Sequence, residues 1–232
     1  MEPASKKPEK VETGDLTRRL REVEEPLQKA HPLTYSQKVR CDFKEVVCTV
    51  TSEGQAVEKW IEGQSDQTMF GLDIEWKPNR VKGENNKVGL LQISSQTECL
   101  LVQLLHLDYI PDSLRNFLRK GSNSFAGVGI TEDGIKLLRD HGLVCAGLVE
   151  LHQYCKGARM SLSLKDLALV VLNVTLEKSR TVTMSDWSQR HLNSEQVEYA
   201  CRDAWLSCRL FVELEAYPHK RLASVVFAVY EI

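Results

Sequence analysis

The chain has 232 residues, 42% hydrophobic and 27% charged, with a formal net charge of −2 at pH 7. That length suits one domain plus a tail, or two small domains, and it can bury a full core without staples. The near-neutral balance excludes a protein that holds nucleic acid by excess positive charge alone; an enzyme with an acidic metal cluster can stay near neutral, because bound ions supply positive charge locally.

Residues 1 to about 40 are charged and poor in aromatics, and read as a flexible N-terminal tail. Within it, Leu16, Leu20, Val23 and Leu27 are spaced for a thin apolar face on a short helix, Asp15 to Gln28. Met1 to Lys10 hold no apolar h-region, so a secretory signal is not expected; Lys6, Lys7 and Lys10 are a weak nuclear address or simply a solvated tail. No apolar run approaches the roughly 18 residues of a membrane span. Seven cysteines, an odd count with no C-x-x-C pair, argue against a zinc ribbon or a disulfide scaffold. They imply reduced thiols in cores and a reducing compartment, nucleus or cytoplasm.

A strand signal runs from Phe43 through Val46, Val47, Thr49 and Val50, and Thr51 or Ser52 can cap a helix from Glu53 to about Glu62. Met69 to Trp76 reads as a buried strand, Asn79 to Asn86 as a polar turn, and Lys87 to Ser94 and Glu98 to Gln103 as two more strands in a run of antiparallel hairpins. Pro111 to Lys120 is a predicted helix, with Pro near its start and Gly121 after its end. Ser124 to Ile130 follows as a strand, then a helix from Thr131, its capping candidate, to His141, with Gly142 as the stop. Helices are predicted at about 149–156, 163–172 and from Ser194 to Ala216, the last capped by Asn193 or Ser194. A sheet flanked by helices, in the α/β class, accommodates this order.

The chemistry concentrates in three segments. In Phe70 to Trp76, Asp73 and Glu75 lie two apart on a strand and project to the same face. Like charges so placed repel and lose hydration, so either a divalent metal offsets them or they sit solvated on an edge. Tyr199 and Asp203, four apart on a predicted helix, share a face where a phenol can hold a water near a metal; taken alone the spacing is a weak signal, and a surface tyrosine beside a solvated aspartate is the commoner source of it. In Gly127 to Leu138 a glycine-rich strand end runs into a helix that begins with acids, a pattern that simple capping also produces.

Taken together, LDIEWKP at Leu72 to Pro78, VGLLQIS at Val88 to Ser94, GVGITEDGIKLLRDHGL at Gly127 to Leu143, SLKDLA at Ser163 to Ala168, Lys178-Ser179 followed by Trp187, and QVEYACRDA at Gln196 to Ala204 resemble the DEDD exonuclease superfamily. That group includes ribonuclease D, the proofreading domain of DNA polymerase I and the Werner syndrome exonuclease domain, and the chain is most similar to the small Werner-like exonucleases of plants. The resemblance covers roughly Phe43 to Ala216. It implies a ribonuclease H-like mixed five-stranded sheet flanked by helices, with a nuclease domain at 41–220 and a short extension at 221–232.

The resemblance also implies the site. Asp73, Glu75, Asp133 and Asp203 would be ligands of two Mg²⁺ or Mn²⁺ ions; Asp133 is chosen over Glu132 and Asp140 because the family's third acid stands two before the Ile-Lys pair. Tyr199, four before the last aspartate, indicates the tyrosine subtype (DEDDy) and would orient the attacking water. The implied activity is 3′→5′ exonucleolytic hydrolysis of nucleic acid to nucleoside 5′-monophosphates. Ile74, Trp76, Lys178 and Trp187 are candidate substrate contacts; Trp76 is equally a packing residue, and Lys178 equally a solvated one. Gln92 is read as structural. No motif decides between DNA and RNA, although DNA is placed first. The other reading is a module on the same fold that binds nucleic acid without cleaving it. No G-x-x-x-x-G-K P-loop is present, so unwinding would need a helicase partner.

Overall fold

The computed structural model of the protein describes residues 33–155, 162–176 and 179–217. The predicted helix at 15–28, Lys178 and the extension at 221–232 lie outside the described residues.

Strands β1 (Thr34–Cys41) and β2 (Lys44–Thr51) form an antiparallel hairpin. Strand β1 corrects the tail boundary at 40. In T-Y-S-Q-K-V-R-C only Val39 and Cys41 are fully buried, and the outward residues are polar or charged, so composition hides a half-buried period-two strand.

Helix α1 is Gly54–Glu62, close to expectation, but neither Thr51 nor Ser52 caps it. The Thr51 hydroxyl accepts from Glu53 N (2.9 Å), and the Gly54 N–H goes to Asp108 Oδ1 (2.7 Å). A carboxylate distant in sequence thus does the capping, which local motifs cannot reveal.

Strands β3 (Met69–Trp76), β4 (Val88–Ser94) and β5 (Glu98–Gln103) form the expected antiparallel meander. Strand β2 departs from the predicted run of hairpins, because it pairs with β5 in parallel. Helix α2 (Asp112–Arg119) leads to β6 (Ser124–Gly127), which is shorter than predicted, and α3 (Ile130–His141) starts earlier than predicted. Its cap is Gly129 rather than Thr131, with φ +75°, a left-handed conformation that glycine adopts without a Cβ penalty. The segment predicted as a helix at 149–156 is instead β7 (Leu148–Glu150) followed by a 3₁₀ turn (Leu151–Cys155). Three residues are too few to show strand periodicity.

Helices α4 (Leu164–Leu172), α5 (Arg180–Thr183) and α6 (Ser194–Ala216) complete the described elements. Capping boxes at Ser163 with Asp166 and at Asn193 with Gln196 fix the starts of α4 and α6.

The sheet has seven strands in the order β1-β2-β5-β4-β3-β6-β7, two more than expected. The added strands are β1 and β7. Fully buried β4 lies near the middle. Helices α1, α2 and α3 cover one face through Val57, Trp60, Leu114, Phe117, Ile130 and Leu137. Helices α4 and α6 cover the other. The sulfurs of Cys48, Cys99 and Cys201 lie within 4.8 Å of one another inside that second core, and every described cysteine is free. No helix among the described residues is long and apolar enough to cross a membrane.

Candidate active site

Strand alternation puts Gly71, Asp73 and Glu75 on the α6 face of β3. Gly71 decides how close the helix comes. A Cβ there would lie 1.9 Å from the Ala204 carbonyl oxygen and 2.6 Å from Cys208 N, so α6 crosses β3 in backbone contact. Asp203, the residue before Ala204, is consequently buried (4% exposed) on the acidic face of the strand. Asp73 Oδ1 accepts from Ile74 N at 2.8 Å.

Asp133 stands in the first turn of α3, its N–H reaching back to Gly129 O (3.3 Å). Its carboxyl is pushed up to about 8, first by burial and then by the charges of Asp73, Glu150 and Glu132. The Asp73 charge is felt there because β3 and the start of α3 meet at the site. Cys145 adjoins Asp133, and its thiol is pushed to about 12 by burial and then by the Asp133 charge, so it stays neutral at physiological pH.

Tyr199 lies one turn before Asp203 on α6. Its phenol is raised above the usual tyrosine value by burial, then by Asp203, Glu75 and Asp73; a hydrogen bond with Thr183 works the other way. The structure therefore brings together all five residues expected to carry the chemistry, from β3, α3 and α6. A cavity of about 210 Å³ opens beside them, lined by Ser179, Val182, Glu198, Tyr199, Arg202 and Asp203.

Two of the candidate substrate contacts are corrected. Ile74 is 3% exposed and points into the core on the opposite face, as alternation requires for a residue between Asp73 and Glu75. Trp187 is 1% exposed; its indole N–H donates to Thr183 O (3.3 Å) and its ring packs against Tyr199 at 5.9 Å between centroids. It supports the tyrosine from behind. Trp76 is half-buried against the first core, with Lys136 Nζ 4.9 Å from its ring centroid. Gln92, opposite Asp73 on β4, is fully buried with no protein partner for its amide among the described residues.

Sequence reasoning missed Glu150 and Lys136. Glu150 accepts from Gly129 N and Ile130 N, and was hidden inside a helix prediction. Lys136 pairs with Asp140 (2.8 Å) and donates to Asn86 O (2.8 Å), tying α3 to the loop before β4. The i,i+4 spacing of Lys136 and Asp140 was the available signal.

The donor set is entirely carboxylate oxygen, without histidine or thiolate. Such a set suits a hard divalent cation, Mg²⁺ or Mn²⁺, rather than zinc. The fit is supported by Asp133, which burial and then its acidic neighbours drive toward protonation. A cation at that point reverses the effect.

Comparison with known proteins shows the family. A model of the 3′-5′ exonuclease family matches residues 48–217. Exonuclease 3′-5′ domain-containing protein 2 of Homo sapiens is 36% identical over 192 residues, covering 77% of this chain and 31% of that protein. The bifunctional 3′-5′ exonuclease/ATP-dependent helicase WRN of Mus musculus is 32% identical over 155 residues, covering 65% of this chain and 11% of that protein. Among solved structures, Escherichia coli RNase D, an exoribonuclease involved in structured RNA processing, superposes with a TM-score of 0.61 at 25% identity over 72% of this chain and 45% of that one. The chain thus spans under a third of the length of these curated relatives.

Proposed function

The chain belongs to the 3′-5′ exonuclease family, and on that premise we propose that it removes nucleotides from the 3′ end of nucleic acid by a two-metal-ion mechanism, releasing nucleoside 5′-monophosphates. The observation that carries this reading is the convergence of Asp73, Glu75, Asp133, Tyr199 and Asp203, which the raised proton affinities of Asp133 and Tyr199 report.

Asp73 is the ligand proposed to serve both ions, because its charge reaches Asp133 on one side and Tyr199 on the other. Glu75 and Asp203 would help to hold one ion, and Asp133 would help to hold the other. Ions held there would supply Lewis acidity that lowers the pKa of a bound water and offsets charge on the departing 3′ oxygen. Tyr199 stays a neutral phenol at physiological pH, since burial and then the nearby carboxylates oppose ionisation, and so it orients water by hydrogen bonding rather than acting as a base. Trp187 and Thr183 hold its ring and hydroxyl in place.

Tyr199→Phe removes that hydrogen bond and keeps the ring packing. Turnover is expected to fall by about 10²-fold with Mn²⁺ affinity retained, whereas Asp203→Ala loses both. Calorimetric Mn²⁺ titration beside steady-state rates checks this; equal affinity in wild type and Asp203→Ala would contradict the ligand role.

The proposed nuclease domain begins at β1, because that strand belongs to the sheet. A reducing compartment, nucleus or cytoplasm, fits the free buried thiols. Matched DNA and RNA oligonucleotides with recessed 3′ ends test substrate class, with DNA as the first choice; tolerance of the 2′-hydroxyl is what separates the two. Shortening of neither, with Mg²⁺ or Mn²⁺ present, would favour a module that binds nucleic acid without cleaving it.

A further inference from the structure

Helix α3 begins without a side chain of its own to satisfy its first N–H groups, which have no partner within the helix. Its cap residue, Gly129, has nothing to offer. The acceptor comes from another element. The Gly129 N–H lies 3.1 and 3.0 Å from the two carboxylate oxygens of Glu150, and the Ile130 N–H lies 3.1 Å from Oε2. Parallel pairing of β6 and β7 sets Glu150 opposite Gly127, directly beneath this turn.

The carboxylate is itself held. His152 Nδ1 lies 3.1 Å from Glu150 Oε1, while its Nε2 faces the Leu162 carbonyl oxygen. A negative charge at a helix N-terminus is also favoured by the helix dipole. The turn that Glu150 grips is the one carrying Asp133, whose N–H bonds back to Gly129 O. Displacing Gly129 by a few tenths of an ångström therefore moves the Asp133 carboxylate relative to Asp73.

We infer that Glu150 is a positioning residue: its carboxylate clamps the Gly129–Ile130 turn, and so fixes where Asp133 meets the metal ion. The inference rests on the proposed metal site. Removal of such outer partners commonly costs about 10- to 100-fold in metal affinity or activity. Glu150→Ala removes the carboxylate that accepts from Gly129 N and Ile130 N. Glu150→Gln keeps one oxygen for Ile130 N but loses the second acceptor and the charge.

The test measures rate against Mn²⁺ concentration, together with the KM for the oligonucleotide, in wild type, Glu150→Gln and Glu150→Ala. Mn²⁺ binding is followed separately by electron paramagnetic resonance. The half-saturating Mn²⁺ concentration is expected to rise at least about tenfold in Glu150→Ala and by less in Glu150→Gln, with KM for nucleic acid unchanged. A merely structural role would lower melting temperature and active fraction while leaving the Mn²⁺ dependence where it was, and that result overturns the inference. If Glu150→Ala does not fold, Glu150→Gln decides on the same readout. A wild-type chain that binds Mn²⁺ and cleaves, beside variants with identical Mn²⁺ dependence, removes the role of Glu150 alone. A wild-type chain that neither binds Mn²⁺ nor cleaves removes the metal site and this inference together.

Discussion

Asp73→Asn is expected to lower turnover by about 10³-fold or more, on the order of 4 kcal/mol of lost transition-state stabilisation, while making the metal-free protein more stable at alkaline pH. The first effect follows from its proposed contact with both ions. The second follows from electrostatics. The Asp133 carboxyl is pushed from 3.8 to about 8 by burial and then by Asp73, Glu150 and Glu132. An acid raised in this way binds more protons folded than unfolded across that window, so stability falls as pH rises from about 4 toward about 8. Replacing the Asp73 carboxylate by a neutral amide of the same shape lowers Asp133 and flattens the fall. Melting temperatures in EDTA at about pH 5 and about pH 8 should therefore diverge less in the variant than in wild type. An equal or steeper decline in the variant would contradict the coupling. Metal binding acts on the same groups. Mn²⁺ should raise the melting temperature of wild type more near pH 8 than near pH 6, because less proton must be displaced from Asp133.

Gly71→Ala should be the most damaging change that adds only one carbon. Its Cβ would sit 1.9 Å from Ala204 O and 2.6 Å from Cys208 N, both backbone atoms that no rotamer change can move. Helix α6 must shift away from β3, at a cost of about 1–3 kcal/mol or more. The shift carries Tyr199 and Asp203 away from Asp73 and Glu75, so activity per folded molecule should fall as well. Chemical denaturation together with active-site titration separates the two losses. A variant with wild-type stability and rate would show that backbone contact between β3 and α6 does not set the site.

The shared face of each pair was legible because spacing carries that much geometry, while the joining of the pairs into one expected site came from the family resemblance. Asp73 and Glu75 share a face by the period of a strand, and Tyr199 and Asp203 by the period of a helix. Neither pair could show that it meets the other. That depends on Gly71, which in sequence is only a small residue inside an apolar strand. The same period could have excluded Ile74, which sits between two acids that face the site and so faces away from it.

What stayed hidden was held by contacts distant in sequence or by elements too short to show a period. Strand β1 presents polar residues outward and only Val39 and Cys41 fully inward, so its composition resembles a tail. Strand β7 has three residues, and its acidic end, Glu150, was absorbed into a predicted helix. Helix α1 takes its cap from Asp108, and α3 takes its cap from Glu150. Trp187 looked like a substrate contact because it lies in the segment before α6; its burial behind Tyr199 depends on the return of that segment across the sheet, where a Cβ at Gly89 would strike the Trp187 carbonyl.

A crystal of the protein soaked in Mn²⁺ with a nucleoside 5′-monophosphate, with data collected at the manganese edge, bears most directly on the four-carboxylate site. Two anomalous peaks about 3.5–4 Å apart are expected, with Asp73 touching both, Glu75 and Asp203 at one, and Asp133 directed at the other. Manganese bound away from these carboxylates, or absent from them in a preparation that still degrades a 3′ end, would contradict the assignment.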